Sequence, residues 1–356
     1  MVHFPDEVWT LIFGQLEFDT RGPDYTDDNE PGSEGLAALS RLCRTSSRFL
    51  RLARPFLYRS LPLCNWRLHE RLLRTLHQNP HLARSVENVT LGEGVFSRDD
   101  ITPLLLPYYS EASAQSGARS AAIDAALRVV ADGEEWQEGV PDLWFAHCAT
   151  ILPNLKSIEL ASSAQTPRRL SSLRYAHFID SLADADGICD LLRTCPLLQT
   201  LEITWGSSTV GDSTLDFDHI GRVLREHGTG LVELDLDCLE CFSFEEAEWS
   251  GKIGDLRGLQ HLKHLDEEEE TANENPISED SLESLLPESL ETLRFYSVYD
   301  ENDWVRKSVQ GVLSSQRLKQ LKEVQLDDCW RFNVKWDKTG WRSKKLKDTG
   351  KLIFYK

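Results

Sequence analysis

Residues 4–17, FPDEVWTLIFGQLE, place apolar side chains at Val8, Trp9, Leu11, Ile12, Phe13 and Leu16, the spacing of a helix. Pro5, Asp6 and Glu7 suit its first turn, where a missing N–H costs nothing and negative charge meets the positive helix end. At about 100° per residue the apolar set covers an arc of roughly 200°. A helix lying on one core needs little more than about 100°. The pattern therefore predicts either a helix with two apolar clients or one wrapped on all sides in a small bundle. Residues 18–35 are acidic and rich in turn formers, and read as an exposed loop. A second helical stretch follows over 36–61, with Leu36, Leu39, Leu42, Cys43, Leu50 and Ala53 as its apolar set. Its charges are all positive, and in a continuous helix Arg41, Arg44, Arg48 and Arg51 share one face. Pro55 ends that helix or opens the next.

From about residue 82 a different pattern recurs, apolar-x-x-apolar-x-apolar. Its copies are VENVTL (86–91), LKSIEL (155–160), LQTLEI (198–203), LVELDL (231–236), LETLRF (290–295) and LKEVQL (321–326), with a degraded copy at LKHL (262–265). In the second half of the chain they fall roughly 30 residues apart. Each copy reads as a short strand. Helix-like pieces lie between them at 186–195, 217–228, 278–287 and 303–313, with Ser278 and Asp303 as caps. One short strand and one helix cannot close a core alone, so stacking of neighbours must bury it. The prediction is an irregular α/β solenoid, a horseshoe with strands inside the bend and helices outside. Residues 92–150 are an insertion, helical around 119–131. Residues 266–280, including DEEEE, are an acidic loop, and GKLIFYK supplies a last strand.

Side chains alternate along a strand, so the x positions of each copy face away from the core. The fifth position reads Glu159, Glu202, Asp235, Arg294 and Gln325, and the third adds Glu233 and Glu323. In-register stacking would line the inner wall with acid over its first half. Such a wall favours a basic protein target, or consists of ordinary solvated residues.

Length and charge narrow the classes. At about 150 residues per domain, 356 residues give two domains, or one plus an array. The net charge of −19 argues against nucleic acid and anionic membranes as partners, since both need a basic surface. No apolar run reaches the length of a membrane span, and the first residues lack the basic start of a secretory signal. Eight cysteines in this length are no disulfide scaffold, which points to a reduced cytoplasmic or nuclear setting. Cys238-x-x-Cys241 with His261-x-x-His264 imitates metal spacing, but the separation and the tight histidine pair depart from zinc-finger practice, so no metal or cofactor is expected. No phosphate loop, nucleophile elbow or His-Glu-x-x-His is present, and the expectation is a protein without catalysis of its own.

Phe4-Pro5-Asp6-Glu7-Val8, then Ile12-Phe13 and Leu16, then LAALSRLCRTSSRFLRLARPFLYRSL resemble an F-box, and ARPFLYRSL is similar to the ending found in F-box proteins of filamentous fungi. The loop at 18–35 replaces the family's usual short turn, at little cost in closure entropy. The repeats resemble leucine-rich repeats, best at Leu321-x-x-Val324-x-Leu326-x-x-Cys329. The resemblance implies an all-α F-box of three short helices over 1–62 and a leucine-rich-repeat domain over 63–356. It implies a substrate-receptor subunit of a cullin–RING ubiquitin ligase, its F-box bound to a Skp-type adaptor and through it to a cullin. The adaptor would cover Phe4, Pro5, Val8, Ile12 and Phe13, with Leu16, Leu39, Leu42, Cys43 and Arg44 as further contacts, and the arginine face suits an acidic adaptor. Such an interface should bury about 1,600 Å². The alternatives are a repeat scaffold capped by its N-terminal helices, with no ligase, and a GTPase-activating repeat protein, for which no arginine stands out.

Overall fold

A computed structural model of the chain describes residues 4–16, 33–63, 72, 75–76, 78–91, 152–161, 172–179, 185–205, 215–237, 249–268, 282–296, 303–327, 340–346 and 351–356. The acidic loop up to residue 32, the 92–150 insertion with its expected helix, and Cys238, Cys241, Ser278 and Cys329 lie outside these residues. The fold is mixed α/β with mostly parallel strands, in two compact units, Met1–Ala161 and Ser162–Lys356.

The first unit begins with α1 (Asp6–Gly14), α2 (Ser33–Cys43) and α3 (Ser47–Arg59). Phe13, Leu39, Ala53 and Phe56 form its helical core, with Trp9, Leu16, Leu42, Cys43, Phe49, Leu52 and Leu57 packed around them. Trp9, Phe13 and Phe49 meet with centroids 4.8–5.8 Å apart, the range of aromatic attraction.

The stretch 36–61 does not continue as one helix into Pro55. It breaks at residues 44–46, where Arg44 and Thr45 N–H close a tight turn on Arg41 and Leu42 carbonyls. The Ser46 hydroxyl then accepts from the Phe49 N–H at 3.1 Å and caps α3. Pro55 sits inside α3, neither ending nor opening a helix. The capping serine, rather than the proline, decides the boundary, and the four arginines consequently do not share one helical face.

From α3 the chain runs directly into β1 (Ser60–Leu63). This pairs in parallel with β2 (Asn88–Leu91), which pairs with β3 (Ser157–Ala161), and a short α4 (Pro80–Ala83) precedes β2. These strands belong to the same compact unit as the helices, and the two units divide at 161/162.

The second unit alternates strands and helices: β4 (Tyr175–Ile179), α5 (Ala185–Thr194), β5 (Thr200–Thr204), β6 (Leu215–Asp216), α6 (Phe217–His227), β7 (Glu233–Asp237), β8 (Trp249–Ser250), β9 (His264–Glu268), α7 (Leu282–Leu285), β10 (Thr292–Tyr296), α8 (Asp303–Ser314), β11 (Glu323–Leu326), β12 (Arg342–Lys345) and β13 (Leu352–Tyr355). Its main sheet has the order β4-β5-β7-β9-β10-β11-β13-β12, parallel until β13 and β12 turn antiparallel, while β6 and β8 pair separately. The fourth motif positions are direct partners: Ala176, Leu201, Leu234, Leu265, Leu293 and Val324 form one file, closed by Phe354. All are buried. The peptide just before each strand also repeats its bonding. Val232 donates to Gln199, Lys263 to Val232, Glu291 to Lys263 and Lys322 to Glu291, at 2.7–2.8 Å. The repeat is thus a hydrogen-bonded stacking rule as well as a hydrophobic pattern. Part of the expected acidic loop is strand, because Asp266, Glu267 and Glu268 lie in β9.

Candidate functional site

Two surfaces carry the residues singled out by sequence. The first is α1. Asp6 in its first turn faces α3: Arg48 Nε donates to Asp6 Oδ1 at 2.7 Å, Arg51 donates to Asp6 Oδ2 at 2.8 Å, and Arg48 also donates to the Phe4 carbonyl at 2.8 Å. This fixes the entry of α1 on α3, and it spends two of the four arginines inside the unit. Phe13 and Leu39, expected at a partner, are fully buried in the unit's own core, because the aromatic cluster of Trp9 and Phe49 closes over them. Val8, Leu16, Leu42 and Cys43 are half-buried. Burial pushes the Cys43 thiol up, with Arg54 opposing.

Part of what stays outside is apolar. Phe4 is 45% exposed, Ile12 42% and Leu11 72%. With Val8 they follow helical spacing along one side of α1. Pro5 and Arg44 are exposed as well, and so is Leu50 on α3. Leu11, the most exposed large apolar side chain among the described residues of this unit, is absent from the residues first assigned to an interface. Its signal was the excess width of the apolar arc.

The second surface is the polar side of the second unit's sheet. The register aligns the fifth motif positions as His177, Glu202, Asp235, Asp266, Arg294 and Gln325, one per strand. Neighbouring strands lie about 4.8 Å apart, so three acidic side chains, Glu202, Asp235 and Asp266, follow one another along the file. Glu202 accepts from the Tyr175 hydroxyl at 2.7 Å and lies 3.5 Å from His177 Nδ1. Oδ1 of Asp235 is closed to solvent and has no hydrogen-bond partner. Burial, then Asp266, Glu202 and Asp237, push the Asp235 carboxyl up to about 8, with Arg294 opposing. Burial likewise lowers His177 to about 4 against the pull of Asp237, so it is neutral at pH 7.

Beyond Asp266 the sign changes. Arg294 donates to Asp327 and lies 3.8 Å from Asp266, and Gln325 donates to Asp327 Oδ1 at 2.8 Å. Both are therefore engaged within the sheet rather than presented alone. Glu233 accepts from Thr200 at 3.2 Å on the neighbouring file. Glu159 belongs to β3 of the first unit, and its side chain lies outside the described residues. His177 and Asp266 were missed. Asp266 follows the degraded copy LKHL, and His177 sits in a copy whose fourth position is Ala176.

Among the described residues no group of three or more His, Cys, Asp and Glu has a geometry that could hold a metal ion, and no helix is long and apolar enough to cross a membrane. Comparison of the chain with protein-family models and with curated proteins finds no match.

Proposed function

We propose that the protein is a substrate receptor of a cullin–RING ubiquitin ligase, with an F-box-like helical module and a leucine-rich-repeat-like sheet. The observation that carries this is the apolar ledge of Phe4, Leu11 and Ile12 on a helical module whose own core, Phe13, Leu39, Ala53 and Phe56, is already closed. An exposed apolar strip beside a satisfied core is a surface kept for another protein. The F-box resemblance supplies the partner, a Skp-type adaptor. The in-register file of polar side chains on the second unit supports a face for a protein target, and Glu202 and Asp266, on either side of the protonated Asp235, favour a basic one.

The mechanism is proximity. One module holds the ligase and the other the target, so lysines of the target gain a high effective concentration near the loaded ubiquitin. No residue of this chain takes part in bond making.

Co-expression with a Skp-type adaptor tests the reading. The expected result is a stable complex that Pro5→Ala with Ile12→Ala abolishes while the hydrogen-exchange pattern of the rest of the chain is unchanged. A protein that ignores the adaptor at micromolar concentration would sink the ligase reading and leave a repeat scaffold.

A further inference from the structure

Among the described residues the main sheet of the second unit ends at β12, and this strand carries Arg342, Lys344 and Lys345 in a chain of net charge −19. All four of its residues are exposed. The strand is nevertheless firmly placed. It pairs with β13 over Arg342↔Tyr355 to Lys345↔Leu352. Just before it, the buried Trp341 donates its indole N–H to the Leu313 carbonyl at 3.0 Å, and the Lys356 ammonium lies 4.7 Å from the Trp341 ring centroid.

The ladder fixes which peptides point outward. Leu346 N–H donates to the Lys351 carbonyl at 2.8 Å, so these two residues form a bonded pair. Bonded and non-bonded pairs alternate in antiparallel strands. Lys344 and Arg342 therefore bond toward β13, and the peptide N–H and carbonyl of Ser343 turn away from it, to the edge on which no further strand pairs among the described residues. Arg342 and Lys344 are two residues apart, so their side chains share one face. Among the described residues neither forms an ion pair with a carboxylate in the way that Lys351 meets Asp327 at 3.3 Å.

An edge of this kind normally invites another strand, and lysines are the usual defence. Here the defence is selective. A second copy offering the same edge brings like charges together and is repelled. A strand carrying carboxylates is attracted by the same residues. We infer that β12 is a docking edge for an acidic, extended peptide segment of a partner protein, which adds to the sheet through the Ser343 peptide and is held by Arg342 and Lys344. Backbone bonds supply the binding and the side-chain charges the selection. The inference stands apart from the proposed ligase role, since adaptor binding is not used in its test.

The probe is a synthetic peptide alternating Val and Glu, with its Lys-for-Glu counterpart as control, titrated onto the full chain at low and physiological salt. The expected result is binding of the Glu peptide alone, weakened by salt, with slowed hydrogen exchange at the Ser343 amide. Arg342→Glu with Lys344→Glu should weaken binding by about tenfold or more. Ser343→Pro, which keeps the charges and removes the outward N–H, should do the same. Unchanged exchange along β13 verifies that each variant keeps the sheet; where Ser343→Pro disturbs it, wild-type protection at the Ser343 amide decides alone. Equal binding of both peptides, undiminished binding to an intact Ser343→Pro sheet, absence of Ser343 protection, or no binding at all overturns the inference.

Discussion

Arg48 holds Asp6 across 42 residues of sequence, its Nε donating to Oδ1 at 2.7 Å while Arg51 takes the second carboxylate oxygen at 2.8 Å. Asp6 also lies in the first turn of α1, where negative charge is favoured. The pair is partly exposed, so its worth is modest. Asp6→Asn should cost about 1–2 kcal/mol of local stability, and less at high salt. Hydrogen exchange of the α1 amides at two ionic strengths measures it. An α1 as protected as in the parent chain would show that helix packing alone fixes the entry.

Adjacent residues of α1 should separate packing from binding. Phe13 is sealed in the helical core, and Phe13→Ala should destabilise the first unit by about 3–5 kcal/mol. Ile12 is exposed, and Ile12→Ala should change stability by about 0.5 kcal/mol or less, while adaptor binding falls. Urea unfolding and a pull-down on the same two variants give both readings. Equal stability losses would mean that Ile12 serves the fold.

Much of this architecture was legible in the chain. The recurring fourth position, from Val89 to Val324, marks buried strand residues because burial of one file is what the stacked unit requires. The copy at Leu173–Phe178 escaped because Ala176 is too small to read as a strand apolar position, although tight packing in its file accepts it. The break at 44–46 was hidden by helical periodicity on both sides and signalled only by Thr45-Ser46-Ser47. The partition of α1 into ledge and core was out of reach. Phe13 and Ile12 are equally apolar, and only the placement of Phe49 and Leu39 decides which is covered. The charge file on the sheet was half visible, since His177 and Asp266 enter it through strands whose motif is degraded.

The Asp235 and His177 shifts act on stability in opposite directions. Asp235, raised to about 8, keeps its proton in the folded chain after the unfolded chain has released it, so stability falls as pH rises from the ordinary aspartate range to about 8. His177, lowered to about 4, refuses a proton that the unfolded chain accepts, so stability falls as pH drops below the ordinary histidine range toward 4. The two slopes oppose one another in acid, and only that of Asp235 remains above about pH 6.5. The second unit should therefore lose stability between about pH 6.5 and 8. Asp235→Asn should remove that loss and gain at least about 1 kcal/mol at pH 8. Thermal unfolding across this window is the measurement. A parent chain and variant with parallel profiles would mean that Asp235 is ionised and solvated.

Gly221 reverses a familiar rule. Within a helix, Gly→Ala ordinarily gains up to about 1 kcal/mol. Gly221 is buried in α6, and an added Cβ would run into the Ile253 carbonyl oxygen. That carbonyl also accepts from Arg225 at 2.8 Å, so it cannot swing away without breaking a second contact between α6 and the segment leading to β9. Helix and segment must part. Gly221→Ala should therefore destabilise the second unit by about 1–3 kcal/mol. Gly258→Ala, where nothing lies within 4 Å of the new methyl, should be close to neutral. Hydrogen exchange of α6 in the two variants is the check, and an α6 in Gly221→Ala as protected as in Gly258→Ala would show that the close approach to Ile253 is not maintained in solution.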